Sequence, residues 1–382
     1  MIAIKSEIRG TTSDRFERVR TAFAANFDRE DAFRETGAAV AVFHRGDCVV
    51  DLAGGQADVD RDWASDTLVN VWSATKGVMA CAVAKLVDGG AVRYEDRVAA
   101  IWPEFGAAGK GEITLQQILS HRSGLNGFAA PTSVADLYDW EGCCGKLAAQ
   151  EPAWPSGTMT SYHALTFGWL VGEVIRRVSG NEIGEFLREY VTGPAGADIF
   201  VGLPGELEPR VAHLAAPRAT PPPPDVPPVA LAALLNPIVD SEVANTRAWR
   251  AAVVPAANGQ ASAMGLARLY ATLSDGGSGR QGLLSRDTLN CVRRAVAPGE
   301  TDLLMGLTGA WGMGVMCNPE FAYGPNPGTF GHSGWGGSFG CVDPELDLSI
   351  GYVCGQMGAE LVFDPRSVAL AAAASACARD LP

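Results

Sequence analysis

The chain has 382 residues, of which 47% are apolar and 19% charged, and its formal net charge is −13. This composition predicts a globular protein with a sizeable core rather than a disordered chain. The acidic balance repels phosphate backbones and anionic lipids, so we expect neither nucleic acid nor a membrane as a partner.

The first predicted elements are a helix and a hairpin. Residues 13–28 place Phe16, Val19 and Phe23 on one helical face. Residues 38–44 and 48–52 are apolar segments that flank a Gly-Asp turn sequence. They predict two antiparallel strands.

The middle of the chain is predicted to be mostly helical. Apolar residues follow helical spacing in four segments, residues 78–88, 114–119, 165–178 and 182–190. Asn181 is the expected N-cap of the last of these helices. Residues 217–228 are rich in proline, which excludes a helix or a central strand and predicts a stiff surface connection.

The C-terminal part contains a second hairpin and a final helix. Residues 340–342 and 348–353 flank the turn sequence Asp343-Pro344, and residues 366–379 follow as a helix. Two hairpins with helices at both ends predict the α+β class. We expect an antiparallel β-sheet flanked by N- and C-terminal helices, together with a mostly helical domain.

The sequence Trp72-Ser73-Ala74-Thr75-Lys76-Gly77 is the first that can carry chemistry. Ser73 lies at a predicted helix start, beside free N–H groups and the positive end of the helix dipole. Lys76 is one turn further on the same face, and a desolvated lysine can be the base that a serine nucleophile needs. The alternative is a capping serine followed by a surface lysine. The chain has only five lysines, and this is its only S-x-x-K sequence.

Two further segments are candidates. Tyr162 lies in a predicted turn before a helix, where it is either a proton-transfer group or an ordinary half-buried tyrosine. Residues 331–338, with the sequence GHSGWGGS, lie at the end of a predicted strand. Their backbone N–H groups can approach a ligand closely and form half of an oxyanion hole, or the segment is simply a glycine-rich turn.

The three segments occur in the same order as the three motifs of a known superfamily. Ser73-x-x-Lys76, Tyr162 and His332-Ser333-Gly334 resemble the motifs of class C β-lactamases, penicillin-binding proteins and family VIII carboxylesterases. The resemblance covers roughly residues 13–375. It implies a β-lactamase/transpeptidase-like fold in which Ser73 is the nucleophile and Lys76 and Tyr162 transfer protons.

The resemblance also implies a domain organisation. We expect a discontinuous α/β sheet domain of residues 1–72 and 165–382 and a helical domain of residues 73–164. The active site is expected at the interface of the two.

Two departures from the β-lactamase pattern favour the esterase branch. The lactamases have Tyr-x-Asn and Lys-Thr-Gly, whereas this chain has Ala164 and His332 at the corresponding positions. In the lactamases, that asparagine and that lysine help to bind the β-lactam drug, and this chain has neither. Trp335-Gly336-Gly337 supplies the tryptophan-glycine sequence often seen in the esterases.

The third motif also predicts the rest of the site. His332 and Gly334 are expected to contribute to substrate binding. The oxyanion hole is expected to combine the Ser73 N–H with that of Trp335, and the Ser338 N–H is the alternative to Trp335.

Ser338 also lies in a G-x-S-x-G sequence, residues 336–340, which is the nucleophile motif of α/β-hydrolases. In that fold a histidine follows the serine and the motif leads into a helix. No histidine follows Ser338, and more strand is predicted there. We therefore do not expect Ser338 to be the nucleophile.

The sequence predicts a serine hydrolase that cleaves short-chain carboxylic esters through an acyl-enzyme on Ser73. Its rivals are β-lactam or peptide hydrolysis or acyl transfer at the same site, and a non-catalytic binding protein. No metal and no cofactor is expected, because the five histidines are isolated and no phosphate-binding loop is present. A small ester is the expected partner, and the sequence leaves the oligomeric state unknown.

The chain start and the cysteines favour a cytoplasmic protein. Charges interrupt the apolar residues of the first ten positions, so no export signal is predicted. Nine cysteines, an odd number without CxxC spacing, are typical of reduced thiols.

Overall fold

The computed structural model describes residues 7–219, 225–274 and 282–379. The first six residues, on which part of the export-signal prediction rested, and the centre of the predicted proline-rich connection lie outside these ranges. The described residues form an α+β structure around an antiparallel sheet, which confirms the predicted fold class.

The main sheet combines the two predicted hairpins. In chain order its strands are β1 (Ile8–Thr12), β2 (Gly37–His44), β3 (Asp47–Asp58), β4 (Arg61–Asp62), β8 (Phe330–Ser333), β9 (Phe339–Asp343) and β10 (Leu348–Cys354). Their order in space is β1-β3-β2-β10-β9-β8, and β4 pairs with β3. The centre of the sheet is therefore the pairing of β2 with β10, which joins the two ends of the chain.

A second, small sheet lies just before the first motif. It consists of β5 (Val69–Asn70), β6 (Ile199–Phe200) and β7 (Gln260–Ala261), in the order β5-β7-β6. Because β5 ends at Asn70, this sheet fixes the backbone that leads into the predicted nucleophile.

Twelve α-helices surround the sheets in the described ranges. They are α1 (Glu17–Phe27), α2 (Ala74–Asp88), α3 (Val98–Ile101), α4 (Leu115–Leu119), α5 (Trp140–Ala149), α6 (Phe167–Ser179), α7 (Ile183–Leu187), α8 (Pro228–Leu235), α9 (Arg247–Ala251), α10 (Ala263–Ala271), α11 (Arg286–Val292) and α12 (Pro365–Arg379). No helix in the described part of the chain is long and apolar enough to cross a membrane.

The two faces of the main sheet pack against different helices. Along β2, Ala38, Val40 and Val42 belong to the core that contains the buried side chains of α1 and α12. Ala39 and Ala41 face the opposite way, toward the core that contains α10. This alternation is the period of two that the sequence of residues 38–44 predicts for a strand buried on both faces.

The helices between the hairpins form the other half of the molecule. Helix α6 packs against α2, α4 and α5, and α2 also contacts β8. The site-bearing start of α2 is thus held between a helical layer and the main sheet. The predicted domain boundaries near residues 72 and 164 stay a prediction.

The N-cap prediction for α7 was wrong by one residue. Glu182, not Asn181, precedes the first helical residue. The preceding helix ends at Gly180 in the left-handed conformation, and the Asn181 N–H then donates to Ser179 Oγ at 3.1 Å. Asn181 therefore belongs to the end of α6 rather than to the start of α7.

Candidate active site

Ser73 occupies the N-cap position of α2, as predicted, but its hydroxyl does not cap the helix. The residue before it, Trp72, has a φ of 44°, a strained value for a residue with a side chain. Thr75 Oγ1 stabilises this turn by donating to the Trp72 carbonyl at 2.5 Å and accepting from the Gly259 N–H at 2.9 Å. The half-buried Ser73 side chain is left available for a different contact.

That contact is with Lys76. Lys76 Nζ lies 3.1 Å from Ser73 Oγ and donates to the carbonyls of Ala164 at 2.7 Å and Ala256 at 2.9 Å. The side chain is fully buried, and burial lowers the pKa of Lys76 well below its ordinary value. In the neutral amine, two N–H groups satisfy the two carbonyls and the lone pair faces the Ser73 hydroxyl.

Tyr162 is the second side chain that contacts the Ser73 hydroxyl. It lies in the turn before α6, is only 3% exposed, and its ring centroid is 4.7 Å from Lys76 Nζ. Burial raises the pKa of Tyr162, and a hydrogen bond with the Ser73 side chain opposes that rise. The structure thus brings together the three residues that the first two motifs predict for proton transfer.

Three buried histidines lie behind this group. Burial lowers the pKa of His121, that of His163 to about 4 and that of His332 to about 3. His332 Nδ1 is 2.7 Å from the Ser333 carbonyl, and its ring centroid is 6.4 Å from that of Tyr162. His332 therefore lies beside the site as a neutral ring, in contrast to the lysine of the lactamases.

The third motif lies directly against the first. A Cβ added to Gly334 would be 2.0 Å from the carbonyl oxygen of Val71, so only glycine permits this approach. The half-exposed Trp335 packs on Trp72 with ring centroids 5.1 Å apart. In the described ranges the N–H groups of Ser73 and Trp335 donate to no backbone carbonyl, which leaves both available to a ligand.

Ser338 has a different environment. Its Oγ accepts a hydrogen bond from the Cys354 N–H at 3.3 Å, so the side chain is directed into the main sheet. It precedes strand β9 rather than a helix. This agrees with the expectation that Ser338 is not the nucleophile.

A buried ion cluster supports the third motif. Arg366, which is fully buried, donates to the Gly336 carbonyl at 2.8 Å and pairs with Asp364 at 2.7 Å and Glu35 at 2.9 Å. The Ser367 hydroxyl donates to the Gly337 carbonyl at 2.5 Å. The start of α12 therefore fixes the turn that carries Trp335.

Sequence reasoning did not find Arg366 or the two carbonyls that bind Lys76. A backbone carbonyl of an alanine has no signature in the sequence. Arg366 had a weak one, because an arginine in the first turn of a helix opposes the helix dipole and implies a specific partner.

Among the described residues, no group of three His, Cys, Asp or Glu side chains could hold a metal ion. All nine cysteines are free thiols. The site itself offers a hydroxyl between an amine and a phenol, next to two N–H groups that donate to no backbone carbonyl in the described ranges.

Comparison with known proteins identifies the same family as the order of the three motifs. The sequence profile described as Beta-lactamase matches residues 23–373. The chain is 34% identical to the Esterase/beta-lactamase LipL of Mycobacterium tuberculosis over 390 residues, which covers 93% of this chain and 84% of that protein.

Two solved structures are similar over nearly the whole chain. A family VIII carboxylesterase is 42% identical with a TM-score of 0.90, and a penicillin-binding protein homolog from Caulobacter crescentus is 41% identical with a TM-score of 0.89. Each covers 97% of this chain and 100% of the other. Because the family profile also spans all three site segments, the chain belongs to the beta-lactamase family.

Proposed function

We propose that the protein is a serine hydrolase that cleaves short-chain carboxylic esters through an acyl-enzyme on Ser73. One observation carries the proposal. The buried Lys76 amine has two of its hydrogen-bonding directions occupied by carbonyls, and the third is directed at the Ser73 hydroxyl 3.1 Å away. A base in this state is what an unactivated serine requires.

In the acylation step, Ser73 Oγ forms a bond to the ester carbonyl carbon and its proton passes to Lys76 Nζ. The N–H groups of Ser73 and Trp335 stabilise the negative charge on the carbonyl oxygen. The neutral Tyr162 phenol gives its proton to the leaving alkoxide and regains one from the Lys76 ammonium. The products are the acyl-enzyme and the free alcohol.

In the deacylation step, a water molecule replaces the alcohol. Its proton passes to the Tyr162 and Lys76 pair, and its oxygen attacks the acyl carbon. The Ser73–acyl bond then breaks, and Ser73 Oγ recovers a proton from the same pair. The carboxylic acid leaves, and the three side chains return to their starting protonation states.

The pocket composition supports an ester rather than a β-lactam. Ala164 offers no side-chain amide and His332 is neutral, so two polar anchors of the lactamases are missing. Trp335 provides a large apolar surface suited to a short acyl or alkyl group. The similarity to a family VIII carboxylesterase supports the same assignment, whereas the name Esterase/beta-lactamase LipL covers both activities.

Ester turnover by Ser73→Ala and Ser338→Ala tests the nucleophile. We expect Ser73→Ala to lose essentially all hydrolysis of p-nitrophenyl butyrate and all labelling by a fluorophosphonate probe, because the oxygen that forms the acyl-enzyme is gone. Ser338→Ala, the matched control in the competing motif, should keep measurable turnover and labelling. Near wild-type turnover by Ser73→Ala would exclude this mechanism. Failure of the probe to label the folded wild-type protein would favour a non-catalytic binding protein.

A further inference from the structure

A buried carboxylate lies next to Tyr162 and has no part in the reaction described so far. Asp302 is 1% exposed. Its Oδ1 accepts from the N–H groups of Leu304 and Met305, both at 2.9 Å. Its Oδ2 accepts from Trp311 Nε1 at 2.7 Å. Burial raises the pKa of Asp302, and the nearby Tyr162 backbone N–H is among the groups that oppose this rise.

The same carboxylate fixes the Tyr162 ring indirectly. The Trp311 ring stacks on the Tyr162 ring with centroids 5.2 Å apart and an angle of 8° between the planes. The Leu303 N–H donates to the Thr160 carbonyl at 2.9 Å, which attaches the Asp302 loop to the segment before Tyr162. The Asp302 loop is thus attached to the backbone just before Tyr162, and Asp302 holds the Tyr162 ring through Trp311.

We propose that Asp302 is a positioning residue for the reaction. Its loop is attached to the backbone just before Tyr162 and its carboxylate anchors the Trp311 ring, and together these contacts keep the Tyr162 hydroxyl at the Ser73 side chain. The inference rests on the proposed function of the site, in which Tyr162 transfers a proton.

The charges around Tyr162 give Asp302 a second, electrostatic effect. The titratable groups near the phenol are Lys76, Asp302, His121, His332 and Tyr323. Burial lowers the pKa of both histidines and raises that of Tyr323. Burial raises the pKa of Tyr162, and the negative charge of Asp302 adds to this rise, which favours the protonated phenol.

Asp302→Asn separates these effects from a general loss of packing when it is compared with Asp343→Asn. Asp343 is 2% exposed, and its Oδ1 also accepts from two N–H groups, those of Glu345 at 3.0 Å and Leu346 at 3.2 Å. Its Oδ2 accepts from Asn326 Nδ2 at 2.7 Å. The two carboxylates have the same kind of partners, but Asp343 lies at the end of β9 remote from the site.

We expect Asp302→Asn to lower kcat for p-nitrophenyl butyrate by about 10- to 100-fold with little change in KM, because a misplaced proton-transfer group slows chemistry rather than binding. Asp343→Asn should keep the wild-type kcat and KM, even where its melting temperature falls as much.

A wild-type kcat in Asp302→Asn would overturn the inference, and so would equal losses of kcat in the two variants. If Asp302→Asn does not fold, Trp311→Phe replaces it, since it keeps an aromatic ring beside Tyr162 and removes the N–H that Asp302 binds, together with part of the indole ring. Trp311→Phe should then lower kcat without changing KM, and unchanged kcat would contradict the proposal. Ester turnover by the wild-type protein that is lost in Ser73→Ala tests the proposed function on its own. A failure of the Asp302 inference can therefore be distinguished from a failure of the proposed function.

Discussion

Lys76 and Tyr162 both contact the Ser73 hydroxyl, so in the proposed mechanism every proton that leaves or returns to this oxygen passes through one of these two neighbouring groups. We expect Lys76→Ala and Tyr162→Phe each to lower kcat for p-nitrophenyl butyrate by ~10²–10⁴-fold. The double variant should lose far less than the product of the two effects, since the residues act as one unit. Steady-state kinetics of the three variants measures this coupling.

Lys85→Ala is the matched control for the lysine. Lys85 lies on the same helix, and its Nζ donates to the Leu283 carbonyl at 3.1 Å, away from Ser73. We expect wild-type kcat in this variant. Multiplicative losses in the double variant would mean that Lys76 and Tyr162 perform separate tasks.

At the residue scale, the sequence predicted the groups whose side chains carry chemistry at a recognisable spacing. Ser73 and Lys76 are one helical turn apart, so their contact follows from local geometry. Asp302 is far from Tyr162 in sequence, and nothing in its neighbourhood distinguishes it from an aspartate in any surface turn. Its contact depends on tertiary packing, which a single sequence does not show.

At the scale of elements, we expect the turn between β8 and β9 and the turn before α6 to determine the choice of substrate. The first presents neutral His332 and the apolar ring of Trp335, and the second presents Ala164. We therefore expect kcat/KM for p-nitrophenyl butyrate to exceed that for nitrocefin, with slow or no turnover of penicillins. Parallel steady-state kinetics on both substrates measures the ratio. A value for nitrocefin at or above that for the ester would assign the chain to the lactamase branch.

The long amphipathic and alternating elements were predictable, and the short or polar ones were not. Residues 38–43 are a continuous apolar run and residues 348–353 are mostly apolar, and the two segments pair at the centre of the main sheet. Strand β1 was missed because it is an edge strand of sequence IRGTT, with little apolar character. The small sheet was missed because strands of two residues are too short to show any periodicity.

At the scale of the whole molecule, the buried histidines make stability depend on pH. The pKa of His163 is about 4 and that of His332 about 3 in the folded chain, below the roughly 6.5 of an unfolded histidine. Between these values the unfolded state binds more protons, so stability is lost as the pH falls from about 6.5 toward 4. Each such histidine contributes roughly 1.4 kcal/mol per pH unit in that window.

Melting temperatures at pH 7.5 and pH 5.0 check this expectation. The wild-type protein should melt at a lower temperature at pH 5.0. His332→Asn should show a smaller decrease, because its amide still donates to the Ser333 carbonyl but no longer titrates. An equal decrease in the variant would show that other groups cause the pH dependence.

The central pairing of β2 with β10 has a consequence for how the chain reaches this structure. Ala38 is opposite Cys354 and His44 is opposite Leu348, so neighbours in the sheet are more than three hundred positions apart in sequence. The helices between them form from local contacts, but the sheet is completed only after a very large loop has closed. Until then one edge of β2 has unpaired N–H and carbonyl groups in an apolar strand, which is the kind of surface on which chains associate with each other. We therefore expect refolding to be slow and to lose chains to aggregation because of this strand order, and we expect the side chains of Ser73, Lys76 and Tyr162 to contribute little to either.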